Sequence, residues 1–147
     1  MKGDNSHILN LSPPLSMEAK WFAPHVAYTM SKFGMSMCTL GMAQEFAKAG
    51  VAVNSLWPLT TIATAAIEIN FPHEMIQASR KPSIVADAAH AIFCKDAKMF
   101  TGNFCIDEMI LREMGIKDFE HYAVNPEVKL QKDLFLPARD YEKETAS

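Results

Sequence analysis

The sequence contains the run Ala27-Tyr28-Thr29-Met30-Ser31-Lys32-Phe33-Gly34-Met35-Ser36-Met37-Cys38-Thr39-Leu40, which continues without a proline to Gly50. Such a run, closed by a glycine, predicts one long helix over residues 25–49. Tyr28 and Lys32 are four residues apart, so they share one face of that helix. A lysine ammonium near a phenol stabilises the phenolate, which makes the pair a candidate for proton transfer at a carbonyl or carbinol carbon. Taken alone, the spacing favours a packed tyrosine ring beside a solvated lysine, because many helices carry this pair by chance.

Two apolar segments flank this helix and predict strands. His7–Ser12 precedes the helix, and Val51–Trp57 follows it and ends at Pro58. A strand, a long helix and a second strand form a parallel crossover unit. Phe104–Leu111 predicts a third strand, so the chain is expected to be an α/β protein with a parallel sheet.

The region between the second and third strands is predicted to be helical. Pro72 separates two short helices, over residues 65–70 and 73–79, and a longer amphipathic helix follows over residues 84–94. Ser83 is the predicted N-cap of this last helix. Asp107 and Glu108 lie at the end of the third strand, where a solvated edge is the plainer interpretation than a catalytic carboxylate pair.

These segments resemble the second half of the short-chain dehydrogenase/reductase family. The resemblance covers residues 5–125 and is carried by four motifs in the family's order: ILNLS at 8–12, YTMSK at 28–32, VAVNSLWP at 51–58 and FTGNFCIDE at 100–108. It implies a Rossmann-like, doubly wound parallel sheet with the N-terminal half missing, of which about three strands and their helices are present. It also implies an NAD(P)-dependent oxidoreductase that transfers hydride between the cofactor and a carbonyl or alcohol substrate. This substrate could be lipid-like.

The resemblance also implies roles for individual residues. Tyr28 would be the catalytic acid/base, and Lys32 would be its electrostatic partner and would bind the nicotinamide ribose. The helper serine would be Ser12, which ends the first strand 16 residues before Tyr28, or Ser16 in the loop that follows. We favour Ser12, because a strand end holds a hydroxyl rigidly, although a strand-terminal cap is a nearly equal alternative.

The loop after the second strand corresponds to the family's cofactor loop. Pro58 begins it, and Leu59 replaces the usual glycine, which is needed only where φ is positive. Ile62, through its backbone, and Thr64, through its hydroxyl, match the positions that contact the nicotinamide carboxamide. One extra residue in this loop leaves the register of these positions open.

One feature of the family is absent from the sequence. A dinucleotide site needs a Gly-rich turn, where backbone N–H groups meet the pyrophosphate. The six glycines of the chain are too far apart to form such a turn. We therefore expect a fragment or truncated product that does not bind NAD(P) by itself. The alternative function is a non-catalytic truncated chain that acts as a dimerisation or interaction module.

Composition sets further limits. The 147 residues are 49% hydrophobic and 21% charged, typical of one globular domain, which we assign to residues 1–125 with a polar, partly disordered tail over 126–147. Phe119, Tyr122, Leu134 and Phe135 are expected to attach the tail, with disorder from residue 140. The net charge of −3 does not favour nucleic-acid binding, and no apolar run is long enough to span a membrane.

Cysteine and histidine usage indicates an intracellular protein without a metal site. The three cysteines form no C-x-x-C pair and are expected to be buried free thiols, and the histidines share no ligand spacing. The family resemblance implies the cytoplasm, or mitochondria or peroxisomes. The 25–49 helix is apolar nearly all round, so a second surface must cover its outer face, and we expect a homo-oligomer formed through it.

Overall fold

The computed structural model describes residues 4–136 and contains a three-stranded parallel sheet. The strands are β1 (Ser6–Asn10), β2 (Val51–Trp57) and β3 (Phe104–Ile106), in the order β1-β2-β3. Ser6 lies opposite Val51, and Ser55 lies opposite Phe104. The central strand β2 is buried along nearly its whole length, which explains its continuous apolar sequence. The predicted α/β fold with about three parallel strands is confirmed.

The long helix α1 (Val26–Phe46) connects β1 to β2 and packs against β2. A 3₁₀ turn over Ala47–Ala49 extends it, and Gly50 then ends it with a φ of 69°. Only glycine adopts this left-handed conformation without steric cost, so the glycine fixes where the chain leaves the helix and enters β2.

Four shorter helices complete the described fold. They are α2 (Ala65–Asn70), α3 (His73–Gln77), α4 (Ser83–Phe93) and α5 (Asp107–Glu113). Two single-turn 3₁₀ helices occupy Ala19–Trp21 and Glu120–Tyr122. The predicted break at Pro72 is confirmed, whereas Ser83 is the first residue of α4 and makes no side-chain cap.

The predicted third strand is too long. β3 ends at Ile106, and the chain turns directly into α5 at Asp107. The apolar residues that favoured a strand beyond this point, Ile110 and Leu111, are instead buried on one face of α5. A short apolar run is compatible with either element, because burial alone does not distinguish a strand from a helix.

Two apolar clusters lie in the described structure. The first is built around Leu56, Ile84, Ile92 and Leu111 and is covered by α4 and α5. The second contains Phe33 from α1 together with Trp57, Leu59, Ile106, Phe135 and Leu136. Trp57 and Ile106 therefore belong to one cluster and Leu56 and Cys105 to the other, as side-chain alternation along a strand requires.

The tail is attached to the body of the protein, as predicted. Phe119, Tyr122 and Phe135 are buried, and Leu134 is partly exposed. The disorder expected from residue 140 lies outside the described residues.

Two of the three cysteines differ from the prediction. Cys105 is buried in β3, as predicted. Cys38 lies on an exposed part of α1, and Cys94 is exposed at the end of α4.

Between residues 4 and 136, no helix combines the length and apolarity that crossing a membrane requires. In the same part of the chain, no three His, Cys, Asp or Glu side chains are grouped to hold a metal ion.

Candidate active site

Tyr28 lies in the first turn of α1 at the rim of a cavity. Its side chain is 43% exposed. The ring stacks on Phe135 with centroids 6.0 Å apart and an interplanar angle of 24°, and His25 approaches it edge-on at 6.0 Å. These two aromatic contacts orient the phenol and leave part of it open to the cavity.

Lys32 lies one helical turn further along and reaches toward the strand ends. Its Nζ donates a hydrogen bond to the carbonyl of Leu11 at 3.2 Å and lies 5.4 Å from the centroid of the Trp57 ring. A cation over an indole face is attracted by the ring's quadrupole. The ammonium is therefore held between the end of β1 and the end of β2.

The electrostatic environment of Tyr28 differs from the prediction. Burial, and secondarily the negative charge of Asp133, raise the pKa of Tyr28 above its ordinary value. The spacing of Tyr28 and Lys32 predicted that the Lys32 ammonium would lower this pKa. Lys32 instead lies against Leu11 and Trp57, so the phenol's partial burial and the nearby carboxylate prevail.

A cavity of about 590 Å³ opens beside Tyr28 and contains most of the predicted cofactor positions. Its walls come from the start of α1, the loop after β2, α2, α3 and the tail. Tyr28, Pro58, Ile62 and Thr64 all line it, as do His25, Trp57, Thr61, Ala66, Ile67, Asn70, Phe71, Met75, Gln131, Lys132, Asp133 and Leu134. Lys32 is not part of this lining.

Neither candidate helper serine lines this cavity. Ser12 is fully buried just after β1, and its Oγ has no hydrogen-bond partner. Ser16 lies in the following loop, where its Oγ is 3.4 Å from a carboxylate oxygen of Glu18. β1 ends at Asn10, so Ser12 lies two residues beyond the strand rather than at its predicted end, and Ser16 bonds within its own loop.

The loop from Pro58 to Thr64 is held on both sides by backbone hydrogen bonds. On one side, the Asp133 N–H donates to the Leu59 carbonyl (3.2 Å), and the Thr61 N–H donates to the Gln131 carbonyl (2.9 Å). On the other side, Arg80 accepts from the Ala63 N–H (2.8 Å) and donates to the Thr61 carbonyl (2.9 Å). The loop is thus fixed between the α3–α4 connection and the tail. These backbone hydrogen bonds hold the positions of Ile62 and Thr64.

Asp107 is not the solvated edge residue that the sequence favoured. It is fully buried, and its Oδ1 accepts the backbone N–H groups of Leu59 (2.9 Å) and Glu108 (2.7 Å). It therefore ties the start of the cofactor-like loop to the N-terminus of α5. Burial raises the pKa of Asp107 to about 6, even though both hydrogen bonds favour the carboxylate.

Glu108 is likewise buried and lies between two arginines. Its Oε2 is 2.5 Å from Arg80 Nη1, and its Oε1 is 2.6 Å from Arg112 Nη2. The side chains of Glu108 and Arg80 are 2% and 7% exposed, so this is an interior ion pair. The sequence could not show it, because Arg80 lies 28 residues away and meets Glu108 only in the folded chain.

Asp133 and Phe135 lie at the site but were not predicted from the sequence to be functional. Asp133 lines the cavity beside Tyr28, and burial raises its pKa to about 6. Phe135 is fully buried and contacts the rings of Tyr28, His25, Phe33, Trp57 and Trp21. The apolar Leu134-Phe135-Leu136 run was a signal for attachment of the tail, but nothing in the pattern indicated where it attaches.

Comparison with known proteins gives a consistent set of relatives. The chain is 54% identical over 136 residues to hydroxysteroid dehydrogenase-like protein 2 of Danio rerio, covering 92% of this chain. It superposes on a crystal structure of a protein described as a dehydrogenase from Xanthomonas campestris with a TM-score of 0.85 and 47% identity. A short-chain dehydrogenase from Mycobacterium thermoresistibile gives 0.81 and 43%. The chain has the fold of the short-chain dehydrogenases.

The similarity concerns part of each relative. The chain spans 32% of the zebrafish protein, and 49% and 48% of the two solved chains. No model of a known protein family matches the chain. The short-chain dehydrogenase fold of this chain therefore rests on individual relatives, and each of them is longer than this chain.

Proposed function

We propose that this chain carries the proton-transfer half of an NAD(P)-dependent short-chain dehydrogenase/reductase, with Tyr28 as the acid/base. The observation that carries this proposal is the shared cavity of Tyr28, Pro58, Ile62 and Thr64. A partly exposed phenol on a rigid helix, opposite a fixed loop, is suited to donating a proton to a carbonyl oxygen or removing one from an alcohol. The similarity to dehydrogenases over most of the chain supports the same reaction class.

The residues around the cavity fit the nicotinamide end of the cofactor. Ile62 and Thr64 line the cavity with Tyr28, and Lys32 is held nearby through Leu11 and Trp57. When bound, the nicotinamide supplies or accepts the hydride. Tyr28 exchanges the proton at the substrate oxygen, and Lys32 binds the ribose and adds a positive charge to the site. No helper serine is assigned, because Ser12 is fully buried and neither Ser12 nor Ser16 lines the cavity.

The substrate is proposed to be an apolar, lipid-like carbonyl compound or alcohol. Part of the cavity lining is apolar and comes from α2, the residue after it and α3: Ala66, Ile67, Phe71 and Met75. A mostly apolar cavity with a few polar groups orients a ligand by those groups and binds it by burial of its hydrocarbon part. Uncharged substrates are therefore favoured over charged metabolites.

We also propose that this chain alone has no measurable cofactor affinity. No Gly-rich turn for the pyrophosphate occurs in its sequence. Positioning of the reactants contributes about 7–11 kcal/mol to such a reaction when the geometry is ideal. Without the pyrophosphate site, this positioning is lost for the cofactor. Calorimetry of the chain with NADPH or NADH is expected to show no binding, and a micromolar affinity (about −8 kcal/mol) would contradict the proposal.

The decisive experiment joins the chain to an N-terminal half that carries a Gly-rich turn. Oxidation of NAD(P)H with medium-chain ketones and aldehydes is then expected to be measurable. Tyr28→Phe should abolish turnover and leave cofactor binding nearly unchanged, because only the proton donor is removed. The matched control is Tyr122→Phe, which removes a hydroxyl bonded to Asp87 away from the cavity. Equal losses in both variants would argue against a catalytic Tyr28.

A second candidate function is a non-catalytic interaction module. The outer face of α1 favours it, because Met30, Met37 and Leu40 are 64%, 56% and 49% exposed. An apolar face of this kind marks an interface when a partner covers it. Turnover by the joined protein distinguishes the two functions, because an interaction module gains no turnover when the Gly-rich half is restored.

A further inference from the structure

Asp107 is a fully buried carboxylate at the start of α5 for which the reaction proposed above gives no role. Its Oδ1 accepts the Leu59 N–H at 2.9 Å and the Glu108 N–H at 2.7 Å. A carboxylate forms stronger hydrogen bonds with backbone N–H groups than a neutral acceptor does. Because both bonds converge on one oxygen, the backbone of Leu59 is fixed relative to the start of α5.

Leu59 is the residue at which the loop over residues 58–64 is anchored after it leaves β2. Its side chain is buried in the apolar cluster that also contains Phe135. Its carbonyl accepts the Asp133 N–H at 3.2 Å. The side chain, the carbonyl and the N–H of Leu59 are therefore all held, and Asp107 supplies the contact to the N–H.

The two loop positions proposed to meet the nicotinamide follow Leu59 closely. Ile62 and Thr64 are three and five residues after it, and both line the cavity together with Tyr28. A displacement of Leu59 therefore has few residues over which it can be absorbed before it reaches the cavity lining.

The backbone bonds within the loop also depend on where Leu59 lies. The Thr61 N–H donates to the Gln131 carbonyl at 2.9 Å, and the Ala63 N–H donates to the Arg80 carbonyl at 2.8 Å. Hydrogen bonds weaken steeply when the distance or the angle departs from the ideal. A shift of Leu59 should therefore loosen both bonds, although their donors and acceptors remain present.

We propose that Asp107 is a positioning residue of the candidate active site, whose Oδ1 fixes Leu59 and, through it, the loop proposed to contact the nicotinamide. The contribution comes from the acceptor oxygen, so a side chain of the same shape with a carbonyl oxygen in that place should largely replace it. The role toward the cofactor rests on the proposed function, whereas the anchoring of the loop does not.

The test compares two variants of the chain that match Asp107 in shape, by amide hydrogen exchange followed by NMR. Asp107→Leu removes the acceptor, and Asp107→Asn keeps a carbonyl oxygen. The reference is the Ser55 N–H, which donates to the Asn103 carbonyl and reports on the sheet. In Asp107→Leu, the Thr61 and Ala63 N–H groups should exchange about tenfold faster relative to this reference, the order expected for one hydrogen bond to a charged group. Asp107→Asn should retain most of the protection.

The matched control is Ile92→Ala, which removes a fully buried side chain from the other apolar cluster. It destabilises the chain as a whole, so the exchange of the Thr61 and Ala63 N–H groups should change no more than that of Ser55. A general loss of stability would give this same pattern in Asp107→Leu, whereas loss of a positioning contact would not.

Two results of the exchange experiment overturn the proposal. One is a folded Asp107→Leu variant in which the Thr61 and Ala63 N–H groups keep their protection relative to Ser55. The other is an Asp107→Asn variant that loses as much protection as Asp107→Leu. Asp107→Ala replaces Asp107→Leu if the latter does not fold by circular dichroism. If neither folds, Asp107 maintains the whole fold and has no separate positioning role.

The joined protein tests the cofactor role of Asp107 separately. There, Asp107→Leu should raise the KM for NADPH or NADH about tenfold and change kcat less, because the lost contact positions a loop that binds the cofactor. Asp107→Asn should remain near the wild type. Absence of turnover in the joined wild-type protein would contradict the proposed function, whereas an active joined Asp107→Leu with an unchanged KM would overturn the cofactor role of Asp107 alone.

Discussion

Asp133 should make the folded chain lose stability as the pH rises toward neutrality. Burial raises its pKa from 3.8 to about 6 in the folded state. A group with a raised folded pKa stabilises the fold below its unfolded pKa and loses that contribution as the pH rises through the folded value. The urea midpoint of Asp133→Asn relative to the wild type should therefore increase across this window. The pKa of Asp107 is also raised to about 6, so the stability of Asp133→Asn itself should still fall somewhat as the pH rises.

The control for this prediction is Glu127→Gln, which changes an exposed charge in the same part of the chain. Its difference in stability from the wild type should not depend on pH in the same range. A wild-type chain that gains stability relative to Asp133→Asn as the pH rises would show that the Asp133 carboxylate is stabilised rather than opposed by its surroundings.

Phe135 should contribute more to stability than any other residue of the tail. It is fully buried at the centre of an aromatic cluster. Replacing a buried phenylalanine by alanine typically costs about 3–5 kcal/mol, because transfer energy is lost and a cavity is left. We expect Phe135→Ala to lower the unfolding free energy by about this amount, measured by urea denaturation. Phe93→Ala, at a 44% exposed position, is the control and should cost much less.

The helix α1 is attached to the body by polar as well as apolar contacts. Its buried face includes Thr29, Ser36 and Thr39. Ser36 Oγ donates to the Pro13 carbonyl at 2.6 Å, and Thr39 Oγ1 accepts from Asn10 Nδ2 at 2.8 Å. These small side chains let the helix lie close to the sheet, and they explain why the apolar residues of α1 are spread around it rather than collected on the buried face.

The N-terminus of α5 should depend on Glu108. Removing one partner of a buried ion pair leaves an uncompensated charge, which costs about 3–5 kcal/mol. We expect Glu108→Ala to destabilise the chain by this order in urea denaturation, because Arg80 would be left buried and unpaired. The control is Glu113→Ala, which removes a 58% exposed partner of Lys95 and should cost at most about 1 kcal/mol. Similar losses for both variants would show that the Glu108 pairs add nothing specific.

The whole molecule is expected to associate through the outer face of α1. This face carries Met30, Met37 and Leu40, which are about half exposed or more, and an uncovered apolar surface of this kind promotes dimerisation or aggregation. Sedimentation should therefore show dimers or larger species at tens of micromolar protein, and the double variant Met37→Glu/Leu40→Glu should be largely monomeric. Met99→Glu, at an 83% exposed position outside this helix, should not change the association. A monomeric wild type would exclude this surface as an interface.

The sequence by itself determined the order of the three strands and of helices α1 to α4, and the positions of Tyr28 and Lys32 on α1. Gly50 ends α1, Pro72 separates α2 from α3, and the apolar run of Val51–Trp57 becomes the buried central strand. These are local effects, since they depend on backbone conformations and on periodicity within a few residues. The Tyr28 and Lys32 spacing is of the same kind, because helical geometry alone places them one turn apart.

Only the tertiary structure decided what surrounds that pair. The tail returns to the site and places Asp133 and Phe135 beside Tyr28, and the chain fold brings Arg80 to Glu108. Folding also buries Asp107, which was predicted to lie at a solvated edge. The Lys32 ammonium contacts the Leu11 carbonyl and the Trp57 ring. Contacts between residues far apart in sequence leave no periodic signal, and burial and charge around a side chain depend on all of them together. This is why the positions of Tyr28 and Lys32 could be predicted from the sequence, whereas the burial and charge around them could not.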